Sequence, residues 1–259
     1  WLERSFKRNK KESWPRKHHK YIMGRYKNKD STARNNSMTV KYDDLLEWQA
    51  VTKNQEYAVS AWDEGDHLAL SGTAGTGKTF IAMYLALEEI LSKEYPANKL
   101  IIFRSVVPVR EIGFLPGTAE EKVDTYTSPY RAICSEMFGD AGSYNKLVNS
   151  NQLIFESTSF VRGMTFEDSV ILIDEMQNLN FHELDSVITR VGRNCRVILC
   201  GDYHQTDFER ENDKNGIMKF LTIVEQLKNF SVINFGWDDI VRSGFVRDYI
   251  MTKEMLKIY

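Results

Sequence analysis

The sequence predicts an α/β protein built on a parallel β-sheet flanked by helices, and two observations predict it. Six short, apolar, β-branched runs recur along the chain, at His67–Ser71, Leu100–Arg104, Gln152–Glu156, Val170–Asp174, Arg196–Cys200 and Val232–Phe235. Most are continuously apolar rather than alternating, as strands buried on both faces must be. Helical stretches separate several of them, and strand alternating with helix is the pattern of a parallel sheet with helical crossovers. Phe80–Leu91 is apolar nearly all round, with Glu88 and Glu89 near its end; Thr222–Lys228 has helical spacing, and Asn54–Gln55 opens a further helix. Pro116–Gly117 marks a turn and Gly139–Gly142 a loop. The crossovers between the second and fourth strands are long, so a helical or loop insertion is expected around residues 115–150.

Composition bounds the class. With 259 residues, 42% of them hydrophobic, the chain can bury a full core without covalent staples. The net charge of −2 hides an asymmetry: residues 1–41 carry 13 Lys and Arg against Glu3, Glu12 and Asp30. A basic N-terminal arm, 1–41, is therefore expected ahead of one acidic domain spanning 42–259. Such an arm fits contact with nucleic acid, and equally a solvated tail or an expression remnant. Cys134, Cys195 and Cys200 are odd in number and lack any CxxC spacing, which argues against a disulfide framework or a thiolate zinc site and for a reducing compartment. No apolar run is long enough to span a membrane and no signal-peptide pattern opens the chain, so a cytoplasmic protein is expected. The five histidines show no metal-ligand spacing.

The chemistry lies in three boxes. Gly72, Thr73, Ala74, Gly75, Thr76, Gly77, Lys78 and Thr79 meet the G-x-x-x-x-G-K-[ST] pattern, after a predicted strand and before a predicted helix that opens with Phe80. The glycines let the backbone curl so that its N–H groups converge on phosphate oxygens, and the helix N-terminus adds its positive end. Lys78 is expected on the β- and γ-phosphates of ATP, and the Thr79 hydroxyl on Mg²⁺. The second box is the run Val170–Asp174 with Glu175 after it. Asp174 would stand at the C-terminal end of a strand and hold Mg²⁺ through water, while Glu175 suits a general base for attacking water. The third box, Val197–Gln205, is a strand opening into a polar loop where Gln205 could sense the γ-phosphate and place the water. Upstream, Gln55 could read the adenine edge.

Together these boxes resemble the PhoH-like ATPases, whose core is similar to the first RecA-type domain of superfamily 1 helicases. The resemblance is carried by the P-loop, Arg104–Arg110, Gly113–Gly117 followed by Glu121–Asp124, Arg162-Gly163 with Thr165, Asp174–Asn178, and Gly201-Asp202 with Gln205, and it spans about residues 50–245. It implies a P-loop NTPase with a RecA-like parallel sheet, using ATP and Mg²⁺ in a homo-hexameric ring on RNA or single-stranded DNA. Met176 stands where the family usually has Ala, and Met164 where it usually has a second Arg. Helicases of this superfamily close ATP between two RecA-like domains, and this length holds one, so a neighbouring copy is expected to supply an arginine finger. Arg162 and Arg242 are the candidates, with Arg110 behind them.

Nucleic-acid contacts are expected along Lys122–Tyr144, where Lys122, Arg131, Tyr126, Tyr130, Phe138 and Tyr144 mix charge with rings able to stack on bases. The same aromatics would also serve as the core of a helical hairpin. Two other functions use the same P-loop: a small-molecule kinase, which has little use for Glu175 or Gln205, and a nucleotide-gated RNA-binding scaffold without motor activity.

Overall fold

The computed structural model describes residues 38–105, 119–158, 161, 163, 165–202 and 211–256, the stretches 119–123 and 211–215 by backbone alone. Six strands form one all-parallel sheet: β1 His67–Gly72, β2 Lys99–Arg104, β3 Leu153–Ser157, β4 Ser169–Ile173, β5 Arg196–Gly201 and β6 Phe230–Phe235, in the order β3-β2-β4-β5-β1-β6. Each predicted strand is present within two residues at either end.

Alternation along the strands splits the core in two. Leu68, Leu70, Leu100, Ile102, Val170, Leu172, Ile198 and Cys200 point to one face, and Ala69, Ile101, Phe103, Ile171, Ile173, Val197 and Leu199 to the other. Every one of these side chains is buried, so both faces must be covered, and the helices do so. The first face packs against α1 (Lys53–Asp63), α2 (Lys78–Ser92), α3 (Ala119–Phe138) and α4 (Ser143–Asn149). The second packs against α5 (Phe181–Ile188) and α6 (Glu211–Glu225).

Local chemistry sets the helix ends. Thr52 caps α1 by accepting from the Gln55 N–H, and Asn180 with Glu183 forms a reciprocal capping box at α5. α2 is apolar nearly all round because the sheet lies under it and neighbouring elements of the same layer flank it, with ten of its residues buried. The expected insertion is the pair α3 and α4, joined through the Gly139–Gly142 loop.

The helical reading of Thr222–Lys228 runs too far. α6 ends at Glu225, and the chain turns through Leu227 into β6 at Phe230, whose partner across the ladder is His67. Ladder pairing to β1 outweighs the local helical spacing of those last residues. α7 (Gly244–Met255) buries none of its residues completely, so it has no apolar stripe for sequence to reveal.

Candidate nucleotide site

At the C-terminal ends of β1, β4 and β5 a cavity of about 590 Å³ opens. The P-loop forms its floor because β6 holds the loop's first residue against the sheet. Gly72 has φ +109°, and a Cβ there would lie 2.1 Å from the Phe235 carbonyl oxygen, which itself accepts the Thr73 N–H at 3.0 Å. Only glycine fits that approach. Thr76 donates its hydroxyl to the Thr73 carbonyl at 3.0 Å, Thr73 donates to Glu254 of α7 at 3.3 Å, and Ala74, Gly75 and Gly77 line the cavity.

Lys78 Nζ folds back onto the loop, donating to the Gly72 and Thr73 carbonyls at 2.7 Å each. Burial pulls its pKa below the ordinary lysine value, against the opposing fields of Asp202, Glu175 and Asp174. A polyanion in the cavity would relieve that burial penalty.

The acid pair follows β4. Asp174 is buried, with its backbone N–H donating to Phe103 of β2 at 2.9 Å. Its Oδ1 accepts the Thr79 hydroxyl at 2.9 Å and its Oδ2 accepts the Tyr130 hydroxyl of α3 at 2.8 Å. Burial, and then the charge of Glu175, raise the Asp174 pKa despite those two donors and nearby Arg104. Mg²⁺ fits this donor set: a hydroxyl and a carboxylate, both hard oxygen ligands, stand side by side where a cation would offset a desolvated negative charge. Among the described residues no group of three or more His, Cys, Asp and Glu could hold a metal, so such an ion would draw its other ligands from phosphate and water.

Glu175 itself adopts a left-handed backbone, φ 51° and ψ 45°, which turns its side chain into the cavity mouth. Gln177 donates to its carboxylate at 2.5 Å and accepts the Asp202 N–H at 3.1 Å, tying the tip of β4 to the tip of β5.

An apolar slot stands beside the P-loop. Trp48, Phe80 and Tyr84 pack ring on ring, with Trp48 and Phe80 centroids 5.8 Å apart, and Trp48, Val51, Phe80 and Ile133 line the cavity. Gln55 is buried here, but both ends of its amide are engaged: Oε1 accepts the Val51 N–H at 2.9 Å and Nε2 donates to the Thr76 carbonyl at 3.2 Å. It links α1 to the P-loop.

The arginines divide. Arg242 lies at the rim of its own chain's cavity, its Cγ above Gly75, while the neighbouring Val241 N–H donates to the Gly75 carbonyl at 3.1 Å. Arg242 thus stands over the P-loop of its own chain. Arg162, Arg110 and Gln205 lie outside the described residues.

The expected base-stacking platform is corrected. Tyr130, Phe138 and Tyr144 are buried in the core, and Arg131 is held by Asp124 at 2.8 Å, by Asn145, and over the Tyr144 ring at 4.8 Å. The α3–α4 hairpin needs those aromatics to seat on the sheet. The Lys122 side chain lies outside the described residues.

Trp48 and Gln177 carry no role that the sequence alone assigns, and of the two readings open for Tyr130 the structure takes the hairpin core. The pairing of Gln177 with the Asp174–Glu175 box was a usable signal. Nothing in the spacing places Tyr130 opposite Asp174, 44 residues away.

An all-parallel sheet with a P-loop between β1 and α2, and an acid pair at the tip of a strand one removed from β1, defines a P-loop NTPase with a RecA-like sheet. The sequence model for the PhoH-like protein family matches residues 48–254, and the chain belongs to that family. A PhoH-like protein of Mycobacterium leprae is 32% identical over 201 residues, 77% of this chain and 56% of that one. The PhoH-like protein of Synechocystis is 30% identical over 207 residues, covering 80% and 62%. The chain thus spans little more than half the length of these relatives. Among solved structures, the large terminase of a thermophilic bacteriophage, in complex with ADP, overlaps with a TM-score of 0.47 at 14% identity, covering 79% of this chain and 50% of that one, a likeness too loose to carry an argument.

Proposed function

We propose that the chain is a Mg²⁺-dependent ATPase whose hydrolysis is coupled to binding or remodelling of RNA or single-stranded DNA. The observation that carries this reading is the convergence of Lys78, Thr79, Asp174 and Glu175 on one cavity beside an apolar slot lined by Trp48 and Phe80. Adenine lies against Trp48 and Phe80. The triphosphate lies along the P-loop, where backbone N–H groups and the α2 N-terminus replace its water. Lys78 leaves the two carbonyls it now holds for the phosphate oxygens. Thr79 and Asp174 hold Mg²⁺, which when bound offsets charge on the β- and γ-phosphates. Glu175 accepts the proton of the attacking water as the new oxygen–phosphorus bond forms and the bond to the β-phosphate oxygen breaks.

The α3–α4 aromatics do not support a stacking surface, so the strand contact falls to other segments. Arg162 and Arg242, with Arg110 behind them, are the residues a neighbouring copy would offer in a closed hexameric ring. No helix among the described residues is long and apolar enough to cross a membrane, and the cysteine usage supports work in the cytoplasm.

The test is steady-state phosphate release from Mg-ATP with and without single-stranded RNA or DNA, beside Lys78→Ala. Stimulation by the strand that Lys78→Ala abolishes supports the coupled ATPase. Activity indifferent to every strand, but raised by small phosphate acceptors, replaces it with a kinase. A monomer with full strand-stimulated activity sinks the ring.

A further inference from the structure

Tyr130 is 0% exposed, and it stands on the inserted helix rather than on any element that builds the P-loop. Its hydroxyl donates to Asp174 Oδ2 at 2.8 Å, while Thr79 takes Oδ1 on the opposite side. Arg104, at the end of β2, lies beside the same phenol and the Asp174 charge. A phenol there is costly unless its O–H is used, and this one is used only by Asp174.

We propose that Tyr130 is a positioning residue for the metal step, and that it ties helix α3 to the state of that step. The proposal rests on the reading of Thr79 and Asp174 as the magnesium-binding pair. With Oδ2 pinned by Tyr130, the carboxylate plane is fixed and Oδ1 stays beside the Thr79 hydroxyl, the orientation in which both oxygens face the phosphate end of the cavity. The same bond works in reverse. A cation that draws charge from Asp174 weakens its hold on the phenol and so loosens α3 at Tyr130, one residue after Pro129, whose missing N–H already leaves a gap in the helix ladder. The inserted hairpin then senses whether a metal-bound nucleotide is present, through one hydroxyl.

The experiment is ADP binding by calorimetry in excess Mg²⁺ and in EDTA, for the wild type and Tyr130→Phe. The substitution keeps the ring and removes only the hydroxyl. Groups that orient a metal ligand are typically worth ~10–100-fold in metal affinity. The expected result is a wild type that binds ADP more tightly with Mg²⁺ than in EDTA. Tyr130→Phe then shows an unchanged EDTA affinity and a magnesium requirement raised ~10-fold or more. A wild type indifferent to Mg²⁺ overturns the metal reading of the site. A wild type that responds to Mg²⁺, matched by Tyr130→Phe at every concentration, overturns the positioning role alone.

A second measurement needs no variant: hydrogen exchange of the α3 amides in wild type with Mg-ADP against ADP in EDTA. Faster exchange around Tyr130 with the metal present supports the coupling, and identical exchange in both states overturns it.

Discussion

Gln177 and Asp202 join the tips of β4 and β5: the Asp202 backbone N–H donates to Gln177 Oε1 at 3.1 Å. The other end of that amide holds Glu175, so one side chain fixes the candidate base against the neighbouring strand. Gly201 makes room for it, since a Cβ there would lie 2.4 Å from Gln177 Oε1. Gln177→Ala leaves a buried N–H and a carboxylate without their partner. A hydrogen bond to a charged group is worth ~1.5–3 kcal/mol, which predicts phosphate release slower by roughly 10–100-fold. ADP affinity should change far less, because Gln177 touches the base and not the P-loop. Gly201→Ala should show the same split by displacing the amide. Kinetics beside calorimetry checks both, and a parallel loss of binding in Gln177→Ala would instead make it a general support of the site.

Glu175→Gln separates binding from chemistry more sharply. The amide keeps the size and the contact with Gln177 but cannot take a proton. General-base catalysis contributes ~10²–10⁴-fold, and a loss of that order in turnover is expected with Mg-ADP affinity unchanged. Single-turnover hydrolysis is the measurement. Retention of more than about a third of wild-type rate would move the base elsewhere.

Legibility tracked how local each signal was. The central strands are readable because burial on both sheet faces demands runs such as Leu100–Phe103 and Val170–Ile173. The P-loop and Asp174–Glu175 were readable because their chemistry needs fixed residue types at fixed spacing. What failed was exposure and partnership. Tyr130, Phe138 and Tyr144 fit a binding surface or a hairpin core equally by sequence, which gives the ring but not which way it faces, and they seal the hairpin. The approach of Arg242 to Gly75 follows the return of the chain through β6, which no motif announces. Trp48 carries no motif, and only folding sets it against Phe80.

The far end of the sheet holds a different test. Arg196 of β5 is buried with its Nη1 on Glu89 of α2 at 2.5 Å and its Nη2 on the Trp62 and Asp66 carbonyls, at 2.6 and 2.8 Å. Its guanidinium also lies over the Trp62 ring. Burial raises the Glu89 pKa, and Arg196 is what opposes that rise. Removing the cation alone strands a buried acid, so Arg196→Met should cost ~3–5 kcal/mol. Adding Glu89→Leu should recover part of that loss, since the uncompensated charge goes with it. Urea unfolding of the two variants checks this. A double variant less stable than the single one would mean that the carbonyl contacts, not the ion pair, carry the stability.

The same corner sets a pH dependence. His67 Nδ1 accepts the Val197 N–H at 3.0 Å, which the ring can do only when that nitrogen carries no proton. Burial and the charge of nearby Arg196 lower the His67 pKa to about 4, with Asp66 pulling weakly the other way. The folded pKa lies below the unfolded value of 6.5, so between those limits the unfolded chain binds more protons. Stability from this group is therefore complete above about pH 6.5 and lost as pH falls toward 4. Between pH 7 and pH 5 the loss from His67 alone is ~2 kcal/mol. His67→Asn keeps an acceptor near the Nδ1 position and cannot titrate. Its urea midpoint should fall less than that of the wild type over the same range, by an amount near that figure. Parallel midpoints for the two proteins would place the acid sensitivity on the carboxylates rather than on His67.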